Sequence, residues 1–381
     1  MNKALHLLKV TLVIVVLAFA AASCSSEKTP QELFDQDASG VVVILNRFYY
    51  ELHLANGKVV YFTGLDDDGN ISGFTTELSE VKNNMSESYG TGFFVSKKGL
   101  ILTNRHVVQP VIDQEQVKKA WKSILEAYKS YIEAYAAQLS NEFDQLNAQR
   151  SSCFNYNEFT GEMYADESAL ARINERQEEL RSEYQQAEQI YDNLSSQGVS
   201  NVSIVPVCQL GIAYNGTMVN SSDQILTSNP CSVVRVSGDE DVDLALIQLN
   251  TRKTPGDVYL FATAAHRHDQ GLFASIMGSK DADLTINQSL YMIGYNAGPI
   301  LAKTKSGIRV QMTSGKITQL PDSDRLLYDI PTLHGSSGSP VLDAQGNLVA
   351  VNYAKLGNSN FNFGIPVSKI EKFLYSPKSD L

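Results

Sequence analysis

Three side chains, His106, Asp243 and Ser337, are of the types that together turn a hydroxyl into a nucleophile. That chemistry needs a hydroxyl, a base within hydrogen-bond reach of it, and a shielded acid that orients the base. Each of the three stands where an apolar run meets polar residues. His106 closes the run in GLILTNRHVV, Asp243 precedes the run in DVDLALIQL, and Ser337 is central to HGSSGSP, residues 334–340. Asp241 is the more exposed competitor for the acid. Gly335 allows a sharp turn that aims the N–H groups of Gly335 and Ser337 at one oxygen, the arrangement that holds an oxyanion. Alone, HGSSGSP is equally the composition of a plain turn. The order His, Asp, Ser separates this set from the Asp-His-Ser and Ser-Asp-His triads, and Ser339 stands where a Gly-x-Ser-x-Gly elbow needs glycine.

The elements that must position these residues are of two kinds. Residues 40–108 read as strands: GVVVILNRFYYELHL, then ANGKVVYFTG with Asn56-Gly57 as a hairpin turn, then GTGFFVSKKGLILTNRHVV. Strand patterns resume at NVSIVPVCQLGIAYNGT and run through CSVVRVSGDEDVDLALIQL, QSLYMIGYNAG, TSGKITQL and GSPVLDAQGNLVAVNYA to a last short helix, VSKIEKFLY. Between them, residues 113–195 change character. Asp113 is a candidate N-cap with Gln116 three residues on, and Val117, Trp121, Ile124, Tyr128, Tyr131, Tyr135 and Leu139 follow at helical spacing. After a polar connector, Leu170, Ile173, Gln177, Leu180, Tyr184, Ala187, Tyr191 and Leu194 repeat three-four-three-four. Two such stripes bury each other if the helices turn back as an antiparallel hairpin, about 40–50 Å long. The helices therefore read as an insertion into a loop of an all-β chain.

The chain opens with Lys3 and Lys9 and an apolar run, Val10–Ala22, that is too short to span a membrane and fits a secretory signal. Ala21, Ala22 and Ser23 lead into Cys24 as in a lipoprotein cleavage site, although Ala21 stands where leucine is usual; an ordinary signal-peptidase site is the alternative. Lipid on Cys24 makes the protein a membrane-anchored bacterial lipoprotein of the cell envelope, on the periplasmic side or the cell surface, with residues 24–37 as tether. The net charge is −11, and −13 once residues 1–23 are removed, which argues against a nucleic-acid partner. Cys208 and Cys231 fall on successive strands with a turn-rich stretch, 215–229, between them, and form a candidate disulfide. Cys153 is then free or bridges two chains. No cysteine or histidine spacing suggests a metal or another cofactor; His266 and His268 read as loop histidines.

GTGFFVSKKGLILTNRHVV, DLALIQL, TSGKITQ, HGSSGSPVLDAQGNLVAVN and FNFGIPVSKI resemble, in order, the blocks of HtrA-type serine proteases of the chymotrypsin fold. The resemblance implies an all-β double barrel, each barrel six-stranded, with the helical hairpin inserted. Residues 38–110 and 197–270 then make the N-terminal barrel, 111–196 the hairpin, and 271–381 the C-terminal barrel and helix. It further implies that His106 is the general base, Asp243 its orienting acid and Ser337 the nucleophile, with Gly335 and Ser337 N–H groups as the oxyanion hole. The substrates are proteins or peptides. The alternative is a catalytically idle lipoprotein that binds a protein through its cleft or its hairpin.

Departures from that family sharpen the expectations. Digestive members carry Asp just before the nucleophile, where it pairs with a newly cut N-terminus; Ser336 cannot, so activation by such a cut is not expected. The 44 residues after Ser337 are too few for the PDZ domain that HtrA proteins usually carry. His106 and Asp243 are 137 residues apart, and the hairpin accounts for the excess over the family spacing. It serves as rigid decoration, as a means of homo-oligomerisation, or as a docking element. Pro331, six before Ser337, puts no carboxylate at the floor of the primary pocket and disfavours cleavage after Arg or Lys. Val351, Asn352 and Tyr353 are expected along its wall and along an edge that pairs with an extended substrate, with Tyr353 shortening the pocket for a small or medium apolar residue. His334 either touches substrate or is a plain rim residue.

Overall fold

Residues 41–45 are five consecutive aliphatics, and both faces of the strand they form are buried. Alternate side chains of a strand point to opposite faces. Val42 and Ile44 enter one core with Phe94, Ile101, Ile212 and Ile247. Val41, Val43 and Leu45 enter a second core with Phe93, Leu102, Ile293, Tyr295 and Val351. A strand buried on both sides reads as an unbroken apolar run, which is what the sequence shows.

The computed structural model describes residues 27–196, 201–261, 284–298, 302–322, 324–355 and 362–375. The signal segment with Cys24, and His266 and His268, lie outside the described residues. The chain begins with helix α1 (Pro30–Asp37), strands β1 (Val41–His53), β2 (Val59–Phe62), β3 (Gly64–Leu65) and β4 (Ile71–Ser72), and helix α2 (Leu78–Asn83). Strands β5 (Ser86–Phe94) and β6 (Leu100–Thr103) lead into the one-turn helix α3 (Arg105–Val108). Helices α4 (Gln114–Arg150) and α5 (Glu167–Ser195) flank a small ribbon, β7 (Phe154–Tyr156) and β8 (Met163–Ala165). Next come β9 (Ser203–Tyr214), helix α6 (Ser222–Ser228), β10 (Pro230–Val236) and β11 (Ala245–Leu249). The last third holds β12 (Ser289–Gly294), β13 (Lys303–Thr304), β14 (Gly307–Ile308), β15 (Gln311–Gln319) and β16 (Leu326–Tyr328). It ends with β17 (Pro340–Leu342), β18 (Leu348–Lys355), β19 (Asn362–Pro366) and helix α7 (Val367–Tyr375).

Two antiparallel barrels result. The first has the order β1-β5-β6-β11-β10-β9 and closes through β1–β9, with β2 added outside on β1. The second closes in the order β12-β15-β16-β19-β18-β17 around Leu290, Met292, Ile317, Tyr328 and Val349. This is the double-barrel, chymotrypsin-like fold, with a long helical hairpin inserted. The core containing Val41, Val43 and Leu45 also takes in Ile293, Leu342 and Ile365, so the two barrels share apolar contacts.

Both barrels lie in one compact unit, Met1–Phe48, Glu87–Pro110 and Cys208–Leu381. The other unit is Tyr49–Ser86 with Val111–Val207. The sequence puts all of 38–110 in the first barrel, whereas 49–86 group with the helices. The reason is that β1 continues past the barrel, and its last residues, Tyr50–His53, pair with β2.

In the helical unit, Tyr135 donates to Glu183, Arg176 to Glu142, and Gln177 to Asn147, pairs that fix an antiparallel arrangement. At about 1.5 Å per residue α4 is ~55 Å long and α5 ~43 Å. Asp113 caps α4, its carboxylate accepting from the Gln116 N–H at 2.9 Å. The Gln116 side chain does not complete a capping box and donates to the Gly69 carbonyl. The α5 stripe is buried at Ile173, Gln177, Leu180 and Ala187, while Tyr184 within it is 37% exposed. The middle of the α4 stripe differs: Leu125 and Ile132 are buried, and Tyr128 and Tyr131 are exposed at 57% and 67%. Aliphatic side chains have no polar end to keep in water, whereas a tyrosine hydroxyl does, so the seam turns by one residue. The polar connector contains the β7–β8 ribbon, which the sequence did not suggest. No described helix is long and apolar enough to cross a membrane.

The candidate disulfide is not formed; Cys153, Cys208 and Cys231 are free. Cys231 lies opposite Leu210 in the β9–β10 register. Cys208 is therefore its diagonal neighbour, at roughly 7–8 Å between Cα atoms, beyond the ~4.4–6.8 Å a disulfide spans. Burial pushes the Cys231 thiol up to about 12 and also raises Cys208, so neither is a ready thiolate.

Candidate active site

Strand β6 delivers His106 and strand β11 delivers Asp243, and their register makes the two meet. Ala245 lies opposite Thr103, so the residues just before β11 face those just after β6. Asp243 is held there at both ends. Its backbone carbonyl accepts from Asn104 Nδ2 at 2.8 Å and from the Arg105 N–H at 3.3 Å. Its carboxylate accepts from the His106 N–H at 3.0 Å and meets His106 Nδ1 at 2.5 Å. The Arg105 guanidinium donates to the Ser237 and Glu240 carbonyls and so ties down the turn that leads to the acid. An ionised carboxylate only accepts, so Nδ1 carries the proton in this pair and Nε2 presents its lone pair. The Asp243 side chain is 16% exposed and that of His106 36%, which shields the acid and leaves the base reachable. Asp241 is exposed and takes no part.

Ser337 lies on a turn tied down at several points, although Ser339 Oγ is buried without a partner among the described residues. The Ser336 N–H and Oγ both donate to the Leu333 carbonyl, and the Ser336 carbonyl accepts from the Ser339 N–H and from Asn352 Nδ2. The Gly338 N–H donates to the Asn352 carbonyl. The carbonyls of Gly335 and Ser337 accept from Thr91 Oγ1 and the Thr91 N–H, at 2.7 and 2.8 Å. Among the described residues, the N–H groups of Gly335 and Ser337 have no acceptor. Gly335 has φ +97°, and a Cβ on it would stand 2.5 Å from the Tyr295 carbonyl oxygen, so only glycine fits there. The turn thus leaves these two backbone donors, like that of His334, without an acceptor among the described residues.

Thr91, in the GTG of β5, is the residue the sequence did not single out. It is fully buried and joins both halves of the site. Besides its two bonds to the serine turn, it accepts from Thr103 Oγ1 at 2.7 Å, three residues before His106, and from the Tyr295 N–H at 3.0 Å. The threonine's position on a strand, between two glycines, was the signal available. Gly338 packs on the same point: with φ +87°, a Cβ there would stand 2.0 Å from the Thr91 carbonyl oxygen and 2.4 Å from Thr103 Oγ1. Gly338→Ala is therefore expected to lose about 2–4 kcal/mol of stability in urea denaturation. An unchanged midpoint would show that this packing is not needed.

His106 and Asp243 are joined directly; among the described residues, Ser337 Oγ has no hydrogen bond, to His106 Nε2 or to any other group. Such contacts commonly tighten only when substrate is held. The expected specificity residues separate into two groups. Pro331 and His334 are exposed and Tyr353 is half-buried. Val351 and Asn352 are buried. Val351 is fully buried and paired to both Pro340 and Ile365, and Asn352 bridges Ser336 and the Tyr328 hydroxyl. Val351 is therefore not at a free edge, because β18 is flanked there by β17 and β19. Tyr353 packs against the Phe363 ring, with centroids 6.2 Å apart. Burial chiefly pushes its phenol above the ordinary value; Arg325 opposes this and Asp243 adds to it.

Residues 211–351 match the family described as a trypsin-like peptidase domain. The matched span contains Asp243 and Ser337; His106 precedes it, on the far side of the helical insertion. No curated protein matches the chain. The match and the two barrels together support a serine protease of the chymotrypsin type.

Proposed function

We propose that this protein is an HtrA-like serine endopeptidase that hydrolyses peptide bonds of protein substrates through an acyl-enzyme. The observation that carries the reading is the His106–Asp243 pair, linked through Thr103 and Thr91 to a serine turn in which, among the described residues, the Gly335 and Ser337 N–H groups have no acceptor. In the proposed reaction Ser337 Oγ attacks the scissile carbonyl carbon as His106 Nε2 takes its proton. The two N–H groups bind the oxygen as it gains charge, and Asp243 stabilises the imidazolium. His106 then returns the proton to the leaving amine. Water, activated by the same nitrogen, releases the acid and restores Ser337.

The Ser336 side chain is bound within its own turn, which fits an enzyme that needs no ion pair with a cut N-terminus. The neutral Pro331 and the bulky Tyr353 fit small or medium apolar side chains at the cleaved position. Lys3, Lys9, the run Val10–Ala22 and Cys24 support export and lipid anchoring at the envelope.

A fluorophosphonate probe tests the mechanism on the intact protein. One label is expected, and peptide mass mapping should place it on Ser337. No label, or a label on another residue, would favour the idle, binding-only reading.

A further inference from the structure

The helical hairpin carries a groove that none of the proposed chemistry uses. Its floor is Ile132 and Ala136 of α4 and Ala187 of α5, and its walls are Tyr184 and Tyr191. It continues along the hairpin past Leu139, Phe143 and Leu180. From residue 132 to 143 it spans about three turns, ~17 Å at 1.5 Å per residue. A helix of some eleven residues matches that length.

The rim is acidic at its Ile132 end and carries Arg181, stacked over the Phe143 ring, at the other. Glu133, Glu188 and Asp192 border the groove, and among the described residues none of them pairs with a cation. Other acids of the hairpin are neutralised: Glu142, Glu179 and Glu183 by Arg176, and Glu178 by Arg181. Beyond residue 130 the insertion contains 13 acidic residues and 4 arginines. A second copy of this hairpin would bring like charge against like charge, and an anionic lipid surface would do the same.

We infer that the groove docks an amphipathic helix of another protein, with an apolar face flanked by Lys or Arg. Apolar side chains at helical spacing would sit between Tyr184, Ile132 and Ala187, while the flanking cations meet Glu133, Glu188 and Asp192. The inference rests on the hairpin alone and stands whether or not Ser337 is a nucleophile.

The test uses a fluorescently labelled 14-residue Lys/Leu amphipathic peptide and its Glu/Leu counterpart, followed by anisotropy with the whole protein. The Lys/Leu peptide should bind, more weakly as salt rises, and the Glu/Leu peptide should not. The triple variant Glu133→Gln, Glu188→Gln, Asp192→Asn should weaken binding about tenfold, as three exposed charge pairs would. Ala136→Trp keeps every charge and fills the groove, so it should also cost at least about tenfold. Ala137→Trp, at an exposed neighbour that does not line the groove, should bind as wild type and serves as the folding control, with helical circular dichroism alike in all. Three results would overturn the inference: no binding by wild type, full binding by Ala136→Trp, or a wild-type dimer that Ala136→Trp dissociates.

Discussion

Ser337→Ala is expected to lower kcat for protein hydrolysis by about 10⁴–10⁶-fold and to abolish fluorophosphonate labelling, with the fold intact. The size follows from the chemistry: methyl cannot attack a carbonyl, and what remains is the contribution of the two N–H donors and of binding. The structural half of the expectation is equally specific. Ser337 Oγ makes no hydrogen bond among the described residues, and the turn is held through backbone groups and Thr91. Removing one partly exposed oxygen should therefore leave the melting temperature within about 2 °C. Residual hydrolysis equal to wild type would remove Ser337 from the mechanism, whatever the probe labels.

The second large effect belongs to Asp243→Asn, expected at about 10⁴-fold in kcat with little change in KM. The amide oxygen can still accept the His106 N–H that Oδ1 now accepts at 3.0 Å. The amide nitrogen, however, replaces the oxygen 2.5 Å from His106 Nδ1 and donates where that oxygen accepted. Nδ1 must then be the acceptor, so the imidazole proton moves to Nε2, where it blocks uptake of the serine proton. Asp241→Asn is the matched control, since that carboxylate is exposed and does not touch His106. Equal losses in the two variants would show that the proximity of Asp243 to His106 is not what matters.

Much of this site is legible in the amino-acid sequence, and the reasons are local. The runs around His106 and Asp243 end in polar residues because strands β6 and β11 end there. Antiparallel pairing of Ala245 with Thr103 then makes two distant sequence positions neighbours. The choice of Asp243 over Asp241 follows from that register. What stays hidden depends on three-dimensional partners. Thr91 shows nothing in its own sequence of the four bonds it makes to the serine turn, to Thr103 and to Tyr295. Asn352 reads as a pocket wall and is instead a buried strut, because its amide finds Ser336 and Tyr328. Cys208 and Cys231 lie on adjacent strands as expected, but a two-residue offset keeps them apart. In α4 the periodicity is visible and its phase is not, since tyrosine satisfies an apolar pattern and still prefers the surface.

The insertion between β6 and β9 also has a consequence in time. The first barrel cannot close until β9, β10 and β11 exist, and roughly a hundred residues of helix and ribbon precede them. At about 5–20 residues per second of synthesis, β1, β5 and β6 wait some 5–20 s with unpaired edges. Helices of the hairpin, whose contacts are local, form in microseconds during that delay. Even as a slack loop, the added length would cost closure of the barrel only about 1 kcal/mol, since loop entropy grows with the logarithm of length. The order of the chain thus withholds the His106–Asp243 pair from every nascent polypeptide that has not yet reached β11.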